Sequence, residues 1–217
     1  MSALEELYRD VARCTACILH KSRTHPVPGE GPERVEILFI GEGPGFHEDQ
    51  QGRPFVGPSG RLLEKWLALI GLTREQVYIA NVVKCRPPEN RDPLPSEVET
   101  CRPFLERQIE LLDPCLIATL GRHSMERYFP GAKITQVHGR ARRDGRRVYL
   151  PLYHPAYILR NMNAAPAAEA DFIKIPRLVA RLYEVLAEEA RAGRPEAAPL
   201  APDLPPPDEG PQQLRMF

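Results

Sequence analysis

VEILFI (residues 35–40) running into GEGPGFHEDQQGRPFVGPSG (residues 41–60) decides how the chain is read. The first six residues form a short, almost wholly apolar run, the pattern of a buried strand. The next twenty hold six glycines and three prolines, with Glu42, His47, Glu48 and Asp49 among them. Such a stretch is poor core material. It suits a loop at the carboxyl end of a strand, where open α/β sheets place their ligands. Glycine backbone approaches a ligand closely, and Phe55 offers a flat apolar face.

On the N-terminal side, Ala3 to Ala12 has helical spacing, with Leu4, Leu7, Tyr8 and Val11 on one side, and leads into Cys14-Thr15-Ala16-Cys17. A polar, Pro/Gly-rich connection follows from Lys21 to Glu33. On the C-terminal side, Gly60 to Ile70 predicts a helix, with Trp66 on its core face. Val77 to Val83 predicts a second strand, delivering Asn81, Lys84 and Cys85 to its carboxyl end. Prolines then break the chain until Ser96, which caps a helix reaching Leu112 with an irregular first turn at Pro103.

Cys115 to Leu120 predicts a third strand, His123 to Phe129 a short helix, and Val148 to Tyr153 the last strand, ending at His154-Pro155. Between them Asp144-Gly145 is a type I′ hairpin signal inside an arginine-rich stretch. A final helix runs to about Ala190, with Pro176 starting its main part or kinking it. Strands alternating with helices predict an α/β fold, a three-layer α/β/α sandwich around a central, mostly parallel four-stranded sheet.

The length of 217 residues suits one folded domain, residues 1–190, followed by a tail, residues 191–217, rich in proline and alanine and expected to be disordered. Lys+Arg and Asp+Glu both number 29, so net charge points to no class of partner. No apolar run reaches membrane-spanning length and the first residues are acidic rather than signal-like, so a soluble, cytoplasmic protein is expected.

Five cysteines in a reducing compartment point to ligands or core residues rather than disulfides. Cys14 and Cys17 are spaced to reach one metal centre, and Cys85 and Cys101 complete a four-thiolate set. Zinc and an iron–sulfur cluster both accept four cysteines. The second pair lacks the spacing of zinc ribbons, which favours a cluster. Cys115, inside an apolar strand, is read as core.

Together, GEGPG after a strand, GRPFVG, NVVKCRPP and HPAYILR resemble the family 4 uracil-DNA glycosylases over residues 1 to 190, with the four cysteines in order. That resemblance implies a structural [4Fe–4S] cluster and a monofunctional enzyme that removes uracil from single- or double-stranded DNA. The flipped base needs a reader of its edge. Asn81 matches that reader, donating to O4 and accepting from N3–H. Phe55 matches the residue stacking on the base, and the backbone of Gly41, Glu42 and Gly43 would line the pocket. His154 matches the donor to O2, where negative charge develops as the N1–C1′ bond breaks.

The best-known branch of the superfamily has an aspartate at the position of Gly43, so the water-activating carboxylate must lie elsewhere. Glu42 and Glu48 are the candidates, Glu42 for the water and Glu48 for the electrostatics or a gate against thymine. Phe46 and His47 stand where the family loop is more acidic. HPAYILR resembles the wedge entering the minor groove, with Ile158 or Leu159 filling the gap and Arg160 on a phosphate. Lys84 and Arg86 are expected on the DNA backbone, which would make the protein nucleoid-associated. The stretch from Arg86 to Cys101 lacks the histidine with which a related branch traps DNA, so ordinary hydrolysis is expected.

Gln213, Leu214, Met216 and Phe217 look like the anchors of a peptide for the replication sliding clamp, and a monomer suffices for this chemistry. Two other readings compete. One is a noncatalytic nucleic-acid-binding protein with a Cys₄ zinc site. The other is a nucleotide hydrolase using GEGPG as a phosphate loop, which lacks the Lys-Ser/Thr pair such loops need.

Overall fold

The strands are β1 (Ile37–Gly41), β2 (Tyr78–Asn81), β3 (Leu116–Leu120), β4 (Arg142–Asp144) and β5 (Arg147–Leu152) in a computed structural model that describes residues 2–192. They form one five-stranded sheet in the order β2-β1-β3-β5-β4. β1 lies parallel to β2 and β3, β3 lies parallel to β5, and β4 runs antiparallel to β5. The sheet is mostly parallel as expected, with five strands rather than four, because one arm of the arginine hairpin joins its edge. Of the hairpin's central residues Gly145 and Arg146, only Gly145 has positive φ, at 53°, so the expected type I′ turn does not form.

Parallel strands are covered on both faces, which is why their sequences are continuously apolar. Successive side chains point to opposite sides. Leu38, Ile40 and Tyr78 face α1 (Ala3–Arg13) and α4 (Pro95–Leu112), meeting Leu4, Leu7, Leu105 and Ile109. Phe39 and Ile79 face α3 (Pro58–Leu69) and α8 (Ala165–Ala192), where Trp66, Leu67, Phe172 and Ile175 are buried. Trp66 is thus a core residue, its ring 4.9 Å from that of Phe172. Cys115 is half-buried at the margin of this layer rather than within it.

Three local expectations are corrected. The glycine-rich loop contains a helix, α2 (Phe46–Gln51), because Glu48 accepts from the Gly45 N–H at its start and Gly52 takes φ 68° at its end. α4 begins at Pro95 with Leu94 as its N-cap, not at Ser96, and passes through Pro103 without interruption. The final helix is two: α7 (Pro155–Arg160) follows His154 directly, and a 3-10 turn, Met162–Ala164, separates it from α8. Two short helices, α5 (Arg122–Glu126) and α6 (Ile134–Val137), complete the rim.

α8 takes up Arg191 and Ala192, and the expected clamp anchors Gln213, Leu214, Met216 and Phe217 lie outside the described residues. Among the described residues no helix is long and apolar enough to cross a membrane.

Candidate active site

The connection from β1 runs to one side, to β2, and that from its neighbour β3 runs to the other, toward β4 and β5, so the two leave adjacent carboxyl ends in opposite directions and open a crevice there. A cavity of about 680 Å³ occupies that end, with Glu42, Phe55, Asn81, Gly121 and His154 on its walls. Gly41 and Asn81 are register partners at the last rung of β1 and β2. The ladder continues beyond it, with Val82 N–H donating to Gly41 O at 3.0 Å and Val83 N–H to Glu42 O at 3.1 Å. Strand geometry thereby sets the position of Asn81.

Asn81 is 1 % exposed, yet its Oδ1 and Nδ2 have no hydrogen-bond partner. A buried amide left unpaired costs free energy, and one at a cavity wall is poised for a ligand offering an acceptor and a donor. Beside it lies Phe55. A Cβ on Gly41 would sit 2.4 Å from Asn81 Oδ1 and 2.6 Å from Phe55 Cε2, so glycine is what lets amide and ring come together.

Phe55 holds a left-handed φ of 53°, a strained backbone for a bulky residue. Arg74 pins it, donating from Nη1 to Phe55 O at 2.8 Å and from Nη2 to Pro54 O. On the other side Gly60 packs so closely that its Cβ would fall 1.8 Å from Phe55 O.

His154 stands opposite, its ring centroid 5.7 Å from that of Phe55. Its Nδ1 accepts from the Ala156 N–H at 3.1 Å, which leaves the proton of the neutral ring on Nε2. Burial, reinforced by Arg160, lowers its pKa to about 4. The imidazole is therefore neutral at physiological pH, with one N–H to donate.

The two carboxylates are in different states. Glu48 is engaged at both oxygens: Oε1 accepts from Val56 N–H at 2.9 Å and Gly57 N–H at 2.8 Å, and Oε2 from Gly45 N–H at 3.2 Å. Glu42 lies on the cavity wall, its pKa raised by burial and only partly offset by His123. His123 and Asp92 were not singled out in the sequence. His123 Nε2 has no hydrogen-bond partner and lies 3.6 Å from Glu42 Oε2 and 3.7 Å from Asp92 Oδ1. These three belong to the β1–α2 loop, the segment before α4, and α5, too far apart in the chain for any spacing to connect them.

Cys85 and Cys101 are buried with Leu19 and Val83, and Cys17 packs against them. Cys14 and Cys17 are close enough to Cys85 to act electrostatically on it. Burial raises both inner thiols, Cys101 to about 11, although Arg23 Nη1 donates to Cys85 Sγ at 3.0 Å and Lys84 N–H to Cys101 Sγ at 3.3 Å. N–H groups aimed at sulfur in an apolar shell suit metal-bound thiolates, so the donor set fits a four-cysteine centre.

Two of the expected DNA contacts are corrected. Lys84 is fully buried, its Nζ donating to Asn81 O at 2.9 Å and to Gln108 Oε1, and burial lowers its pKa to about 8. Its ammonium props the Asn81 backbone instead of reaching solvent. Ile158 is buried in the core, whereas Leu159, the next residue of α7, is 43 % exposed. Arg160 lines the cavity, and Arg86 lies over the ring of Phe46, which lines it too. In the arginine hairpin, Arg143 pairs with Glu189, Arg147 pairs with Asp113, and Arg142 caps the Phe129 ring at 4.9 Å. That hairpin fastens the sheet edge.

The sequence matches the model of the uracil DNA glycosylase superfamily over residues 28–177. It is 45% identical over 188 residues to the type-4 uracil-DNA glycosylase of Sulfurisphaera tokodaii, covering 82% of this chain and 86% of the relative. The type-4 enzyme of Archaeoglobus fulgidus is 44% identical over 195 residues, 86% of this chain and 98% of the relative. That of Thermotoga maritima is 48% identical over 162 residues, 73% of this chain and 84% of the relative. With the cavity at the switch point, these matches place the chain in the uracil-DNA glycosylase superfamily, within its type-4 branch.

Proposed function

We propose that the chain flips uracil out of DNA and hydrolyses its N-glycosidic bond, releasing free uracil and leaving an abasic site with the strand intact. The observation that carries this reading is the unpartnered amide of Asn81, buried beside the Phe55 ring. Its Nδ2–H₂ donates to uracil O4 and its Oδ1 accepts from N3–H. Cytosine offers the opposite pattern at both positions and would leave the amide unpaired. Phe55 stacks on the base, and the Glu42-Gly43 backbone forms part of the wall.

As the N1–C1′ bond breaks, its electron pair leaves with the uracil, chiefly toward O2. There the neutral His154 Nε2–H donates a hydrogen bond, and no proton transfer is needed to hold the anion. Water adds to C1′ of the cationic sugar and gives a proton to Glu42, whose burial makes it a stronger base than an exposed carboxylate. Glu48, held by three backbone N–H groups, shapes the loop and contributes negative charge rather than taking the proton. Leu159 fills the gap in the stack, with Arg160 and Arg86 on phosphates.

Cys14, Cys17, Cys85 and Cys101 would hold a [4Fe–4S] cluster. When bound, it would supply a cross-link between the N-terminal segment and the chain around β2 and α4. A monomer suffices, and residues 213–217 remain a proposed anchor for the sliding clamp.

Uracil-containing single- and double-stranded oligonucleotides incubated with iron-loaded protein, then heated in alkali, test the activity. Cleavage at uracil after alkali alone is expected, and none in either substrate overturns the reading. His154→Ala should slow single-turnover release about 10²- to 10³-fold while DNA affinity stays within about threefold. An equal loss of binding and turnover removes the oxyanion role.

A further inference from the structure

Phe46 stands at the lip of the cavity, 52 % exposed although large and apolar. A scattered exposed aromatic needs no explanation by itself. This one is held in a definite pose. The Arg86 guanidinium lies 5.2 Å from its ring centroid, covering one face, and the His47 ring meets it edge-on at 5.6 Å and 78°. Arg86 is fixed in turn, its Nε donating to Asn90 Oδ1 at 2.7 Å. The backbone beneath is fixed as well, since Phe46 opens α2, whose start Glu48 ties down through Gly45.

Among the described residues Phe46 joins no core cluster, and its exposed ring lines the cavity. A flat apolar ring backed by a cation has the chemistry of a base-stacking platform on a polyanion. In a duplex, the bases beside an extruded nucleotide still stack on the rest of the helix. In a single strand they are free to splay and present a face.

We propose that Phe46 and Arg86 form a stacking site for the base adjacent to the extruded uracil, engaged by single-stranded DNA. Phe46 takes the base face and Arg86 neutralises the neighbouring phosphate. This rests on reading the cavity as a uracil pocket and extends it to the flanking nucleotide.

The probe is a single-stranded oligonucleotide carrying non-hydrolysable 2′-fluoro-deoxyuridine, with 2-aminopurine placed on either side in turn, and its duplex form as control. Binding should quench 2-aminopurine at one of the two positions through stacking. Phe46→Ala should abolish that quenching and raise Kd for the single strand about 5- to 150-fold, the range that loss of one stacked base produces. Duplex affinity should change less than about threefold, and Phe46→Tyr should restore both quenching and affinity.

Single-strand affinity unchanged in Phe46→Ala, or falling equally with the duplex, overturns the proposal. So does quenching that survives the substitution, since stacking would then lie elsewhere. Wild-type uracil release is measured alongside. Its absence sinks the glycosylase reading, whereas release with no dependence on Phe46 sinks only this site.

Discussion

In the proposed function Asn81 would carry selectivity through one chemical fact, that an amide is a donor at one end and an acceptor at the other. Asn81→Asp keeps the shape and removes the donor, so release of uracil should fall about 10²-fold or more while preference over cytosine narrows. Paired assays on uracil- and cytosine-containing strands check this, and an unchanged preference removes Asn81 from the reader's role. Glu42 makes a second residue-scale prediction. Burial raises its pKa above the ordinary 4.5, and in the proposed step only its carboxylate form could accept the water proton. The single-turnover rate should therefore fall as pH drops through a value above 4.5. His154 protonates only near pH 4, so it contributes no limb at higher pH. Glu42→Gln should lower the plateau and abolish that limb; a limb that survives assigns the base elsewhere.

Among elements, the segment from α2 to α3 does the most for the site. Glu48 joins the start of α2 to the chain before α3, and Arg74 and Gly60 clamp Phe55 from either side. The left-handed Phe55 costs on the order of 1–3 kcal/mol, which that clamp offsets. Gly60→Ala pushes a methyl against the Phe55 carbonyl and cannot be absorbed by a side-chain rotation. We expect a loss of about 2–4 kcal/mol in denaturant unfolding together with weakened uracil binding. Stability and binding both at wild-type level would mean that this turn is looser than its packing indicates.

For the whole molecule, the proposed centre on the four cysteines would fasten α1 and the 3-10 turn Ile18–Lys21 to the chain around β2 and α4, where Cys17 packs against Cys85 and Cys101. Lys84 extends the fastening toward the pocket, since its backbone N–H meets Cys101 Sγ and its ammonium meets Asn81 O. With the proposed [4Fe–4S] cluster, iron-loaded protein should be brown, and Cys101→Ser should remove that colour and much of the bound iron. A stability loss of about 2 kcal/mol would lower Tm by roughly 4–8 °C in a domain of this size. Full colour and an unchanged Tm would exclude Cys101 from the centre.

Much of this was legible in the chain because its signals are local. Four buried parallel strands announce themselves as continuous apolar runs, and a glycine-rich turn after the first of them marks the ligand end of the sheet. Asn81, His154 and Phe55 could be named as candidates because the resemblance matches each to a short motif at a strand end or its following loop, and the structure brings all three to one cavity. α2 was missed although Gly45, Glu48 and Gly52 spell its start and stop, because the density of glycine outweighed them. Lys84 and Ile158 looked like DNA contacts since charge and apolarity are visible in a sequence but burial is not.

The sequence by itself determined the layered α/β architecture and the family and named four candidate cysteines, all consequences of residue order over short spans. Tertiary structure alone decided that Lys84 props Asn81, that Glu48 is occupied by backbone, and that His123 backs Glu42. Each of those depends on distances between segments remote in the chain, which only the closing of the sheet and the packing of its helices define.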